Sequence, residues 1–446
     1  MSKGPDLALF GATPVLSRRA HRAWPIVGED ERRAVARVLD RGVLSGPFAP
    51  ESVALEKEFA AFVGAKHCLT THCGTSALQI ALAAAGVRAG DEVVMPAYSF
   101  VATPMAAILM GAVPVFADVD PATGCLDPAL AEAAVTPRTR ALLPVHIHGC
   151  SADLGALQEV ARRRDLLLIE DAAQAHGATY GGRPVGALGT AGGFSMQSSK
   201  NLAAGEGGLF VTNDDAIAAE AACVRNFGQN ILRSDAADYD PDHPLDGTRA
   251  LDSRRIGSMY RGSEMMAALG RAQLAKLAER TSRCQRMAER LSHALAQLPG
   301  VRPPVVPAGR TSVHHKFAVQ LDPQGGALSL PARSWRDAVI AALRAEGLEV
   351  VLWQSAPLPA QGVFQRRDAS LGFPPAHDDG TDLGENYRAG RYPRTQALLD
   401  GSLLLFSQSY PLIAQTDEVV DGYVEAFGRV WHHREALAEW AARASS

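Results

Sequence analysis

Between about residues 66 and 215 the chain alternates helix-like stretches with short apolar runs. That rhythm restricts this part of the chain to an α/β domain with a mostly parallel sheet. Residues 76–85 predict an apolar helix that starts just after Cys73-Gly74-Thr75, and 92–95 a strand stopped by Pro96. Residues 103–110 predict a helix ended by Gly111, and 113–119 the next strand. The runs 141–145 and 166–169 are apolar throughout, as strands buried on both faces are. Between them 154–164 is an amphipathic helix with Arg162, Arg163 and Arg164 at its negative, C-terminal end.

With 446 residues the chain exceeds one ordinary core. The reading divides it into an N-terminal arm (1–35), a large α/β domain (36–270) and a smaller C-terminal α+β domain (271–446). A polar, aperiodic stretch at 228–258 reads as a long loop, a length that is uncommon without a function. A long helix over 263–298 bridges into the second domain, where 316–321 and 348–353 predict strands and 335–346 a helix. A second irregular polar segment covers 359–396.

Composition removes several classes. Hydrophobic residues at 47% and charged residues at 21% exclude a disordered chain. A net charge of −4 without a basic run argues against nucleic acid and anionic membrane as partners. The six cysteines form no C-x-x-C pair, no run is long enough to span a bilayer, and the first residues lack a signal-peptide pattern. A cytoplasmic location is therefore expected. Within the basic residues, six lysines stand against 38 arginines.

Four segments carry candidate chemistry. Leu166-Leu167-Leu168-Ile169-Glu170-Asp171 is a buried strand ending in two carboxylates, at the carboxyl edge where α/β folds bind ligands. A cap or a structural ion pair explains them as well. Lys200, within Phe194-Ser195-Met196-Gln197-Ser198-Ser199-Lys200, is a lysine where the chain otherwise prefers arginine. An imine link requires an amine that can lose its proton, but a solvated loop lysine is the plain alternative. Gly205, Gly207 and Gly208 follow it and suit close approach to a ligand or a tight turn. Gly74, Thr75 and Ser76 open a helix with free N–H and O–H donors, either a phosphate site or an ordinary cap. Phe100 follows a strand end and serves stacking or core packing. A phosphate cradle, a flat ring, a carboxylate and a lone amine are together what a pyridoxal phosphate site requires.

The ordered set Gly74-Thr75, Phe100, Ile169-Glu170-Asp171-Ala172-Ala173-Gln174-Ala175-His176-Gly177-Ala178, Ser195, Lys200-Asn201 and Gly205-Glu206-Gly207-Gly208 resembles the DegT/DnrJ/EryC1/StrS aminotransferases. The resemblance implies fold type I, pyridoxal 5′-phosphate as cofactor and a homodimer with shared active sites. It implies that Lys200 makes the covalent link and that Asp171 pairs with the ring nitrogen. Gln174 would lie by the phenolic oxygen, Phe100 would stack on the ring, and Gly74, Thr75 and Ser195 would hold the phosphate. The activity implied is amino transfer from glutamine or glutamate to a keto group of a cyclitol or sugar in natural-product biosynthesis. Leu9-Phe10-Gly11-Ala12-Thr13-Pro14-Val15 and Val145-His146-Ile147-His148-Gly149-Cys150 are similar to the branch with scyllo-inosose aminotransferases and aminohydroxybenzoate synthases. Gly257-Ser258-Met259-Tyr260-Arg261 departs from the family, which often has asparagine at the position of Met259 to reach the neighbouring subunit's phosphate.

Other readings remain at this point. Relatives with histidine in place of the lysine are sugar 3-dehydratases, and elimination, oxidation or a non-catalytic regulatory role are the alternatives on this scaffold. His146-x-His148 on one strand face, with Cys150 or Asp153, is the metal reading. His314-His315 and His432-His433 read as surface or packing residues, and Lys316 as the start of a strand in the second domain.

Overall fold

Apolar runs with both faces to bury need helices on both sides, and the large sheet is built that way. The computed structural model describes residues 5–229, 253–365 and 383–445. Its first half holds β1 (His67–Thr71), β2 (Glu92–Pro96), β3 (Val113–Ala117), β4 (Thr139–Leu142) and β5 (Leu167–Asp171). The small hairpin β6 (Thr179–Tyr180) and β7 (Arg183–Pro184) precedes β8 (Ala191–Ser195) and β9 (Gly208–Thr212). Seven of these form one sheet in the order β1-β9-β8-β5-β4-β2-β3. Only β9 runs against the rest, pairing antiparallel with both β1 and β8. Every residue of β2, β3, β8 and β9 is buried.

The described α-helices are α1 (Glu29–Arg41), α2 (Pro50–Val63), α3 (Gly74–Ala84), α4 (Ala102–Ile108), α5 (Pro128–Ala133), α6 (Leu154–Arg164), α7 (Asp215–Arg225), α8 (Glu264–Leu295), α9 (Ala332–Ala345), α10 (Gly362–Gln365), α11 (Pro393–Gly401), α12 (Asp417–His432) and α13 (Arg434–Ser445). The second sheet is antiparallel: β10 (Val301–Arg302), β11 (Phe317–Leu321), β13 (Ser402–Leu405) and β12 (Val350–Val351), in that order. Phe317, Val319, Leu403 and Leu405 from it share one apolar cluster with Phe59, Phe194, Leu277 and Leu291. The two sheets therefore sit on a continuous core.

Some expected bounds shift. The run over 348–353 keeps only Val350–Val351 as strand. The strand read over 166–171 begins one residue later, at Leu167, and ends on the two carboxylates as expected. Position 270 falls within the uninterrupted helix α8 and position 35 within α1. Of the expected loop at 228–258, residues 230–252 lie outside the described residues, as do 366–382 of the polar segment at 359–396. The described part of that second segment covers the edge strand β3. Asn386 accepts from Phe116 N–H at 2.8 Å and donates to Phe116 O at 3.1 Å, and Tyr387 donates to Pro114 O at 2.9 Å. Side-chain and loop cover of this kind occupies backbone groups that an open edge leaves unpaired.

Candidate active site

Because β1, β2, β5 and β8 run in one direction, their carboxyl ends gather Gly74, Phe100, Asp171 and Ser195 at a single edge. A cavity of about 360 Å³ opens there, and these four residues, Thr75, Gln174 and Lys200 line it. At one end α3 begins directly after β1, with Cys73 as its N-cap. A side chain at Gly74 would place its Cβ 2.7 Å from Ser195 Cβ, so only glycine lets the helix N-terminus approach Ser195 this closely. Ser76 departs from the expectation drawn for it: its Oγ donates back to Cys73 O at 2.8 Å, and the fully buried side chain completes the cap instead of facing the cavity.

Alternation along β5 sends its two terminal carboxylates to different places. Glu170 turns into the interior and accepts from the N–H groups of Gly186, Leu188 and Gly189 at 2.6, 2.7 and 2.6 Å. His146 Nδ1 accepts from Ala152 N–H at 3.0 Å, so the proton lies on Nε2, which donates to Glu170 at 3.0 Å. Asp171 faces the cavity. It accepts from Thr103 Oγ1 at 2.7 Å and Ala173 N–H at 3.1 Å. Burial, only partly offset by these donors and by Lys200, pushes its carboxyl above the usual range.

Lys200 sits in the return from β8 to β9. That return is pinned by Met196 N–H to Gly207 O and Ser198 N–H to Gly205 O, both at 2.7 Å. The lysine's own backbone is held from two sides: its N–H donates to Gln197 O at 2.8 Å, and the Trp24 indole donates to its carbonyl at 3.0 Å. Its Nζ makes no hydrogen bond or ion pair among the described residues, and burial lowers it to about 8 against the pull of Asp171. Gln174 Oε1 accepts from His148 N–H at 2.8 Å, which fixes the amide in the cavity wall. Phe100 stands at the mouth, 55% exposed.

Residues 25–379 match the DegT/DnrJ/EryC1/StrS aminotransferase family. The chain belongs to that family. An L-glutamine:2-deoxy-scyllo-inosose aminotransferase of Streptoalloteichus tenebrarius is 40% identical over 345 residues, covering 76% of this chain and 79% of that protein. The crystal structure of 3-amino-5-hydroxybenzoic acid synthase superposes with a TM-score of 0.76 at 30% identity, over 95% of this chain and 99% of that one. That of DesI in the presence of its TDP-sugar product gives 0.76 and 30%, over 99% of both chains. The protein is an aminotransferase of fold type I and depends on pyridoxal phosphate.

The cavity of this aminotransferase suits that cofactor. A buried carboxylate pushed toward its neutral form gains from a cation, which a protonated ring nitrogen provides. The helix N-terminus beside Ser195 offers N–H groups to an anion. The amine of Lys200 has no competing partner among the described residues.

The sequence reading missed several parts of this site. Thr103 orients Asp171, and Trp24 reaches Lys200 from the N-terminal segment. His314 and His315 are buried, and His315 and Lys316 line the cavity. Lys316 is thus a second lysine of the site rather than a strand residue remote from it; scarcity of lysine was the one signal that included it. His146 and His148 occupy a turn after β4, not a strand, with His148 at φ 56° and its Nε2 2.7 Å from Tyr98 Oη. Among the described residues no group of three or more His, Cys, Asp or Glu is placed to hold a metal. Met259 is half-exposed beside Tyr260, whose ring stacks on His72 at 5.7 Å.

Proposed function

We propose that the protein transfers the amino group of L-glutamine to a ring ketone of a free cyclitol, in the synthesis of an aminocyclitol natural product. The observation that carries the reading is an unpaired, recessed Lys200 in one cavity with the buried Asp171. The choice of donor and acceptor is supported by the 40% identity to an aminotransferase named for L-glutamine and 2-deoxy-scyllo-inosose.

Pyridoxal phosphate supplies the electron sink and the carrier for the amino group. In our reading Gly74, Thr75 and Ser195 hold its phosphate, with the Ser76 side chain serving the cap beneath. Asp171, kept in place by Thr103, holds a proton on the ring nitrogen. Gln174 serves the phenolic oxygen, and Phe100 covers the ring from the mouth. Lys200 Nζ is the amine that would hold the cofactor covalently, and as a free base it would take and return the proton of the substrate carbon. Asymmetric positioning matters here: Trp24 and Gln197 fix the lysine backbone, so only the side chain moves.

A homodimer is part of the proposal. Phe227, Ile256 and Met259 expose apolar surface beside the segment expected to complete a neighbouring site, Ile256 at 93%. No helix among the described residues is long and apolar enough to cross a membrane. Six unpaired cysteines support the expected cytoplasmic location.

The direct test supplies keto-cyclitols and nucleotide-linked keto-sugars, each with L-glutamine or L-glutamate, and follows the aminated product. Turnover fastest with glutamine and a free cyclitol is expected; preference for a nucleotide-linked sugar overturns the acceptor assignment. A second expectation concerns pH. Only the neutral amine attacks the cofactor, and Lys200 is lowered to about 8. Recombination of apoprotein with pyridoxal phosphate should therefore accelerate about tenfold per pH unit below that value and level off above it. A rise that continues unchanged to the pH of an ordinary lysine contradicts the assignment.

A further inference from the structure

We propose that Lys316 binds the α-carboxylate of the amino-acid donor and thereby selects an amino acid over a simple amine. The inference rests on the aminotransferase reading above and names a residue for its first half-reaction.

Lys316 stands immediately before β11, on a segment tied to the turn after β4 by its N–H donating to His148 O at 3.2 Å. Its side chain is 8% exposed and lines the same cavity as Lys200 and Asp171. Among the described residues its ammonium meets no carboxylate and no hydrogen-bond acceptor. Burial, together with the like charge of Lys200, lowers it to about 8. A largely buried cation with no protein partner among the described residues, facing a cavity that opens outward, points to an anion that arrives from outside.

The inventory of anions is short. Asp171 is engaged by Thr103 and Ala173, and Glu206 lies exposed at the rim. The phosphate is assigned to Gly74, Thr75 and Ser195, on other elements of the cavity wall. A cyclitol ketone carries no charge. The donor carboxylate is the anion that remains. A lysine also suits a site used by two substrates in turn, because a single point charge on a flexible stem releases a carboxylate more readily than a bidentate guanidinium does.

The experiment uses holoenzyme and single-turnover absorbance of the cofactor. Wild-type protein is mixed with L-glutamine or with L-glutaminol, in which a hydroxymethyl group replaces the carboxylate. Loss of one charge-assisted contact is expected to weaken glutamine binding by about 10- to 100-fold in Lys316→Met, with the limiting rate changed little. The preference for glutamine over glutaminol should vanish in that variant. Lys316→Gln, closer in size and polarity, carries the same expectation. Reaction of the aminated enzyme with the keto-cyclitol should change by less than about threefold.

Retained discrimination between glutamine and glutaminol in both variants overturns the inference. So does an equal weakening of the cyclitol step, or a loss of cofactor retention in both variants, which would place the cofactor itself against Lys316. Wild-type protein unreactive with every amino acid instead overturns the aminotransferase reading, and this inference with it.

Discussion

Lys200→Arg is expected to lower transamination by about 10⁴-fold or more while the protein stays folded. Arginine keeps the charge and much of the bulk, but its guanidinium does not give up a proton in a protein and cannot form the covalent link. The surroundings tolerate the change: Lys200 Nζ has no hydrogen-bond partner to lose among the described residues, and its backbone is held by Trp24 and Gln197 regardless of the side chain. The variant should lack the absorbance band of the lysine-bound cofactor, and gel filtration should strip the cofactor from it. Normal turnover with an intact band would sink the assignment of Lys200.

Glu170→Ala is expected to be the most damaging single change to stability, although Glu170 touches no substrate. The carboxylate is fully buried and collects three backbone N–H groups and the His146 imidazole. Removing it leaves the buried donors of Gly186 and His146 without an acceptor, at about 1–3 kcal/mol each, and frees the partly buried N–H groups of Leu188 and Gly189 as well. A net loss of at least about 3 kcal/mol is expected, in line with breaking a buried hydrogen-bond network. The fall of the urea midpoint measures it, and an unchanged midpoint contradicts the role.

The same residue sets a pH dependence. Burial alone would raise its carboxyl, but His146 and the backbone donors outweigh that and hold it below the usual value. A depressed folded value stabilises the protein above the unfolded value of about 4.5. That contribution is lost as the pH falls through the folded value.

Glu170 and Asp171 show where a sequence reading stops. Their strand was legible because an apolar run with no period can only be a buried element, and its carboxylates had to emerge at one end. The division of labour between them was not. Period-two alternation predicts opposite faces, but which face holds the cavity depends on the layers packed against the sheet. Gly74 and Ser195 were legible as a helix start and a strand end; that they approach too closely for a side chain at position 74 was not. The side-chain role of Ser76 stayed open for the same reason, since a hydroxyl at a helix start serves the cap or a ligand with equal local logic.

The local order of the chain determined the sheet, the edge that carries the site and the one amine among small residues that the motifs single out. Those follow from hydrophobic periodicity and residue chemistry over a few positions. Tertiary structure alone decided that Trp24 reaches Lys200 across 176 positions and that Lys316, before a strand of the other sheet, enters the cavity. Contacts between distant segments depend on how whole layers stack. No local pattern around residue 316 encodes the turn at His148 against which it is held.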